Sequence, residues 1–370
     1  MFSSLIHHFP ISLNSKFKFG YRLTKLNKEK INKILIIKLR GIGDVVLSTI
    51  VIDNLRKDFP NAQIDFLVEK PSEPGLLGLK DINRVLLFER NDFWKKVSLI
   101  LQIRKTKYDL VFDFFTNPST AIITFFSGAE YRVGFPYRGR KYAYNLFGPE
   151  ERGKYHSAQL HLETLKLLGL NYSYKEVHYS INSSALHVSE KYFNNNFIEN
   201  DFVVGICPTG GWLSKKCDPE KFAEIANVLI NKFNAKIFII WGKSDEEDAF
   251  KIHSLLGEKS FIAPETTIQE LAAMIARCKI LIANDSGPMH IAAAVGTPVL
   301  GLFGPTNPYM HGPFGDKNEW IRLDELECIE CNLLVCPRKH ECFRNLPVEK
   351  VLDKVESLIS KNNIVIPSHG

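Results

Sequence analysis

The sequence predicts an α/β protein: two Rossmann-like domains facing one another across a cleft. Three observations carry that expectation. Apolar runs of four to six residues alternate with longer stretches of helical period, the pattern left by βα units that feed a parallel sheet. The alternation lapses over residues 171–200, "NYSYKEVHYSINSSALHVSEKYFNNNFIEN", where Asn and Ser displace the apolar runs, and then it resumes. A chain of 370 residues, finally, is long for one domain and sufficient for two, each burying its own core.

Taken in order, the first half offers strands at "KILIIK" (33–38), "QIDFLVE" (63–69), "RVLLF" (84–88) and "YDLVFDF" (108–114). Helical stretches lie at "DVVLSTIVIDNLRKDF" (44–59) and "FWKKVSLILQIRK" (93–105), with a further helix at "HSAQLHLETLKLLGL" (156–170). Segments 70–82 and 115–145 carry no clear period and read as irregular. The pattern restarts with "DFVVGIC" (201–207), a helix at 219–233, "KIFIIWG" (236–242), a helix near 246–256, "KILIAND" (279–285), a helix near 288–295 and "PVLGLFG" (298–304). This divides the chain into a basic leader (1–30), an N-terminal Rossmann-like domain (31–185), a C-terminal one (186–346) holding a cysteine-rich segment, and a C-terminal helix and tail (347–370).

A hydrophobic content of 45% and a charged content of 24% are ordinary for a soluble globular protein. The net charge of +6 is a mild basic excess. No basic run is interleaved with stacking aromatics, so no nucleic-acid partner is expected. No segment reaches the ~20 uninterrupted apolar residues of a membrane span; "AAAVGTPVLGLFG" (292–304) is short and broken by Gly and Pro. The leader lacks an apolar core with a small-residue cleavage site, and a cytoplasmic protein is expected. Lysines 16, 18, 25, 28 and 30 and the leader's aromatics could touch an anionic membrane surface, the plainer reading being a solvated leader.

Four loops follow strands and carry chemistry. In "KLRGIGDVVLSTIV" (38–51), Gly41 and Gly43 permit a tight turn and close approach of another molecule, but a third glycine is missing and the dinucleotide fingerprint is not met. Asp44 then reads either as a helix cap or as a carboxylate base in the cleft. In "NDSGPMHIAAAVGTPVLGLFGPTNP" (284–308), Asp285, Ser286 and Gly287 leave a strand and Pro288 suits a first helical turn. The N–H groups of Gly287, Met289 and His290, with the Ser286 hydroxyl, would make a diphosphate site; a plain chain turn explains only the Gly and Pro. "CPTGGWLSKKCDPEKF" (207–222) sets Lys215 and Lys216 beside paired glycines, suiting a leaving diphosphate or merely a solvated loop. "WGKSDEEDAF" (241–250) offers carboxylates for ribose hydroxyls, or favourable charge in a first helical turn.

These four loops, in this order, resemble glycosyltransferase family 9, the ADP-heptose:lipopolysaccharide heptosyltransferases, over roughly residues 31–350. The most specific pieces are "NDSGPMHIAAAVGTPVLGLFGPTNP" and "KLRGIGDVVLSTIVIDNLRKDFPNAQIDFLVE". The resemblance implies the GT-B fold, and an inverting transfer of heptose from ADP-heptose to a sugar hydroxyl without a catalytic metal. It implies Asp44 as catalytic base, Lys216 as a diphosphate contact, Glu246 as a ribose contact and Ser286, Gly287, Pro288, Met289 and His290 as the diphosphate loop, with Asp285 leading into it. It also implies that the tail helix "PVEKVLDKVESLISK" (347–361) packs back towards the N-terminal domain. The family usually reads Lys-x-Trp-Pro where this chain has "KCDP" (216–219). The implied partners are the nucleotide sugar and an anionic glycan or glycolipid acceptor, with peripheral contact at the cytoplasmic face of the inner membrane.

Alternatives remain at this point: another acceptor or nucleotide sugar, a nucleotide-sugar epimerase on the same fold, or a metal-stapled binding protein. The stretch "YRVGFPYRGRKYAYN" (131–145) has arginines and tyrosines suited to an anionic saccharide, and solvated charge explains it equally. In "CIECNLLVCPRKHEC", Cys328, Cys331, Cys336 and Cys342 have a spacing that suits a structural zinc or iron site, or are ordinary reduced thiols. His156 and His161 read as packing or surface residues.

Overall fold

The computed structural model describes residues 26–136 and 139–367. The leader expected over 1–30 thus lies almost wholly outside the described residues. The first half builds strands β1 (Lys33–Ile37), β2 (Gln63–Val68), β3 (Arg84–Leu87), β4 (Leu110–Asp113), β5 (Tyr131–Gly134) and β6 (Leu146–Phe147). The second builds β7 (Val203–Cys207), β8 (Lys236–Ile239), β9 (Ser260–Ile262), β10 (Ile280–Asn284), β11 (Val299–Leu302) and β12 (Glu319–Ile321). Each set forms one six-stranded sheet, in the orders β3-β2-β1-β4-β5-β6 and β9-β8-β7-β10-β11-β12. All pairings are parallel, with Ile34 opposite both Ile64 and Leu110 in the first sheet and Leu281 opposite Gly205 and Val299 in the second. The order reverses between β1 and β4, and again between β7 and β10; in such sheets ligands gather at that reversal, beyond the carboxyl ends of the strands.

Helices cover both faces: α1 (Ile42–Ser48), α2 (Ile52–Asp58), α3 (Phe93–Thr106), α4 (Pro118–Phe126) and α5 (Ser157–Leu167) in the first half, then α6 (Ser183–Asn196), α7 (Pro219–Phe233), α8 (Glu246–Leu256), α9 (Ile268–Ile275), α10 (Gly287–Val295), α11 (Pro308–His311), α12 (Glu341–Arg344) and α13 (Val348–Lys361). The single helix expected over 44–59 is split by a 3-10 turn at Thr49–Val51. The Ser48 and Thr49 hydroxyls donate back to the carbonyls of Val45 and Val46 at 2.7 Å, which tightens and bends a helix.

Three further stretches differ from the sequence expectation. Residues 115–145 are not irregular throughout, since they hold α4 and β5. The start of α4 is set by a reciprocal capping box between Asn117 and Thr120, with Pro118 in the first turn. Within the Asn- and Ser-rich stretch, α6 forms behind the Asn182 cap and docks on the second sheet's layer, Ser189 donating to Ala273 O and Tyr192 to Ile262 O. The tail helix does not pack towards the first domain. Val348, Val351, Val355 and Leu358 form one stripe of α13 buried in the second core, and Lys354 and Lys361 pair with Glu319 of β12.

The two halves are locked together around the cleft. Val46 of α1 is buried in the same apolar cluster as Met289 and Ile291 of α10. Gln269 Nε2 donates to Pro74 O (2.9 Å), Ser157 Oγ to Met310 O (3.1 Å), and His156 Nε2 to Gly312 O (2.9 Å). Among the described residues no helix is long and apolar enough to cross a membrane.

Candidate active site

Asp44 is the third residue of α1, and the N-cap is Gly41, at φ +81°, a conformation that favours glycine. No side chain caps this helix, so Asp44 is not held as a cap. Its carboxylate folds back over the turn, where a Cβ at Gly41 would lie 2.8 Å from Oδ2, and Oδ1 pairs with Lys38 Nζ at 3.1 Å. Lys38 follows β1 directly and is 3% exposed, so the cation is part of the packed scaffold. Burial alone would raise the Asp44 pKa. The Lys38 ammonium outweighs it, helped by the nearby His290 and Arg152, and the carboxyl lies below its ordinary range.

Across the gap stands the start of α10. Ser286 is its N-cap, in extended backbone, with Pro288 in the first turn. Its buried hydroxyl finds no hydrogen-bond partner among the described residues, nor do Thr209 Oγ1 and His290 Nδ1. The two turns touch: a Cβ at Gly43 would overlap His290 Cδ2 with the ring Cγ at 3.1 Å, and one at Gly287 would stand 2.6 Å from Ile42 Cγ2. Glycine at both positions is what lets the helix starts approach so closely. Burial drives the His290 pKa down to about 4, so its imidazole is neutral at pH 7. Met289 is fully buried beneath the turn.

The expected basic pair is engaged rather than free. Lys216 Nζ pairs with Asp245 (2.6 Å) and Asp248 (2.9 Å), and Lys215 Nζ with Asp285 (2.6 Å) while lying over the Trp212 ring. Asp285 Oδ2 also accepts from Thr306 Oγ1 at 2.7 Å. Glu246, chosen from the sequence, is exposed on the first turn of α8; the acids that face Lys216 are its neighbours Asp245 and Asp248.

Beside Asp44, a cavity of about 530 Å³ opens at the carboxyl end of β4, lined by Arg40, Phe115, Thr116, Asn117, Pro118, Arg140, Glu150 and Arg152. Asp113, behind the lining, holds the turn at Phe115 and Thr116. Its carboxylate accepts from Thr116 N (2.7 Å), Phe115 N (3.1 Å) and Tyr144 Oη (2.7 Å), fixing a turn in which Thr116 has φ +48°. Burial pushes this carboxyl up to about 6 against those hydrogen bonds. Of the stretch 131–145, Arg140 lines the cavity. Arg132 is instead buried, donating to Ala143 O and Ala129 O, and Tyr144 is a scaffold residue; residues 137 and 138 lie outside the described residues. His156 caps α5 through Nδ1, and His161 is buried against Phe114 at 4.3 Å, as packing groups.

Cys328, Cys331, Cys336 and Cys342 all border one cavity of about 20 Å³ and are free thiols. Burial and the neighbouring cysteines push Cys342 up to about 12, a protonated thiol. Among the described residues no group of three or more His, Cys, Asp or Glu is arranged to hold a metal ion. What the segment does is brace the second lobe's loops. Glu330 N donates to Gly304 O (3.0 Å), Asn332 N to Pro305 O (2.8 Å) and Ser214 N to Leu334 O (3.1 Å), tying it to the Lys215 loop and to the turn before Thr306.

The family model described as glycosyltransferase family 9 (heptosyltransferase) matches residues 96–341. The chain belongs to glycosyltransferase family 9. It is therefore a glycosyltransferase, and its fold is GT-B. Lipooligosaccharide heptosyltransferase 2 of Campylobacter jejuni is 26% identical, the match covering 90% of this chain and 100% of that protein. A family 9 glycosyl transferase from Veillonella parvula superposes with a TM-score of 0.77 at 21% identity, over 89% of this chain and 97% of that one. The ADP-heptose LPS heptosyltransferase II of E. coli superposes with a TM-score of 0.71 at 21% identity, over 90% and 99%.

Sequence reasoning did not single out Lys38, Arg40, Arg152, Asp113 or Thr209. Lys38 left a signal, a lysine closing the apolar strand "KILIIK" six residues before Asp44. Arg40 and Arg152 left none, because only the fold brings them to one cavity.

Proposed function

We propose that this glycosyltransferase moves heptose from ADP-heptose to a sugar hydroxyl of a lipopolysaccharide core or related anionic glycan, with inversion, at a cytoplasmic membrane face. The acceptor oxygen attacks the anomeric carbon on the side opposite the nucleotide. Its proton passes to Asp44 as the new C–O bond forms, and the bond to the diphosphate breaks with its electron pair leaving on ADP. The charge developing on ADP is met by the N–H groups at the start of α10, by the Ser286 hydroxyl and by Lys216. In this reading Asp285 steers Lys215, and Asp245 and Asp248 hold Lys216 for the diphosphate, with Glu246 left at the rim.

The observation that carries the reading is the direct apposition of the Asp44 turn and the Ser286–Gly287–Pro288 turn, acid on one wall and anion donors on the other. Lys38 supports it by keeping the base ionised before the acceptor arrives. Three guanidinium groups in the cavity beside Asp44 support an anionic acceptor. The test is Asp44→Asn assayed with ADP-heptose: kcat is expected to fall by roughly 10²–10⁴-fold with ADP affinity unchanged. Activity retained in that variant removes Asp44 as base. In a binding screen of ADP-, UDP- and GDP-sugars, a preference for UDP would replace the heptose donor by another, and turnover of UDP-GlcNAc without acceptor would favour an epimerase.

A further inference from the structure

Helix α3 has two apolar faces where a surface helix needs one. Leu99 and Ile103 pack into the first core, together with Ile123 of α4. On its outer side Phe93, Trp94 and Leu101 are 67%, 77% and 61% exposed. Trp94 and Leu101 are two turns apart on one stripe, and Phe93 and Trp94 meet edge to face at 5.5 Å. The stripe continues onto α4, where Phe126, itself exposed, accepts from Arg104 through its carbonyl (3.3 Å), and Ile122 lies one turn earlier. Exposed apolar side chains gathered on neighbouring helices call for an occupant.

Charge says which. Residues 89–107 hold six basic side chains (Arg90, Lys95, Lys96, Arg104, Lys105, Lys107) against two acids, Asp92 and Glu89, the latter paired with Lys95 at 3.4 Å. Two copies of this face brought together would repel one another, whereas aromatic and aliphatic side chains ringed by Lys and Arg match the boundary between anionic headgroups and acyl chains. We propose that the outer face of α3, with the adjoining end of α4, docks on an anionic lipid bilayer. The sheet is parallel, so α3, which follows β3, begins at the same edge as Asp44 and as Asn117 and Pro118 in the arginine-lined cavity. A lipid-linked acceptor then reaches that cavity without leaving the membrane, a consequence that alone rests on the function proposed above.

The test uses the full chain, without nucleotide sugar, sedimented with mixed phosphatidylcholine–phosphatidylglycerol vesicles and with pure phosphatidylcholine vesicles. The expected result is binding to the mixed vesicles, a loss of at least about tenfold with Phe93→Ser/Trp94→Ser/Leu101→Ser, and a smaller loss with Lys95→Glu/Lys105→Glu, all variants melting as the parent does. No binding to mixed vesicles, equal binding to pure phosphatidylcholine, or a triple variant that binds undiminished would overturn it. So would a dimer that the triple variant dissolves, since a second copy would then be the occupant. The readout involves no transfer, so a failed vesicle experiment leaves the proposed reaction standing, and a failed reaction leaves the docking face standing.

Discussion

In the first lobe, the turn after β1 carries a carboxylate whose counter-charge is built in at the strand end, Lys38 to Asp44 at 3.1 Å. In the second lobe, the turn after β10 carries a hydroxyl and an imidazole nitrogen that are buried and have no partner among the described residues. Both turns stand at the same kind of position, the reversal of strand order in sheets of identical plan. One lobe thus arrives with its electrostatics complete, and the other keeps donor capacity in reserve. The remaining loops extend the contrast, for the turn after β4 walls an open cavity while the one after β7 delivers lysines already paired with acids. The shared topology decides where a loop acts, and its side chains decide on what.

Acidification separates the two sides. His290 titrates at about 4 against 6.5 for ordinary histidine, so between those values the unfolded chain binds the proton more tightly. Stability is then full above about pH 6.5 and falls by up to about 3 kcal/mol as pH drops to 4. His156, His161 and His311, lowered by burial too, act in the same direction. The Asp44–Lys38 pair, whose acid is depressed below 3.8, is lost only in a lower window. Urea titrations at several pH values should show a shallower loss between pH 6.5 and 4 in His290→Gln; an unchanged slope would mean that the second lobe's turn is not sealed against the first.

Contact between the turns is tested by Gly43→Ala. The new Cβ must displace a buried imidazole, which is expected to cost about 1–3 kcal/mol of stability and to lower kcat/KM as the helix starts separate. Calorimetry and kinetics on one sample check it, and a neutral outcome would show that the lobes part without consequence. Lys38→Met sharpens the contrast from the other side. With the ammonium gone, burial is left to raise the Asp44 pKa, so the acid limb of the kcat/KM profile should move to higher pH. A profile that stays put would detach Asp44 from the measured step. The smallest effect belongs to Ser286→Ala. Its hydroxyl has no partner among the described residues, so the melting temperature should hold, while the donor KM rises by the equivalent of about 1 kcal/mol. Equal KM would remove the hydroxyl from the nucleotide's contacts.

Much of the architecture could be read from the chain because its signals are local. Strands such as "KILIIK" and "KILIAND" are buried on both faces, so they appear as unbroken apolar runs, and a Gly–Pro pair at a helix start is legible wherever it occurs. Legibility failed where a short element depends on a cap or on distant packing. α4 is announced only by Asn117, Pro118 and Thr120, and α13 shows its apolar stripe without showing which core it faces. At the site, Asp44 and Ser286 stand out beside glycines, whereas the pairing of Lys216 with Asp245 and Asp248 leaves no signal in the sequence, since it depends on how the start of α8 meets a loop some thirty residues earlier.

The sequence by itself determined the alternation of strands and helices, the doubling of the plan, and the turns able to bear chemistry, since each depends on residues within one or two helical turns. Tertiary structure alone decided that Gly43 admits His290, that three arginines share one cavity, and that the cysteine segment braces the second lobe's loops. Charges and close contacts act over a few ångströms of space, and residues as distant along the chain as Gly43 and His290 come within that range only when both sheets have closed on each other.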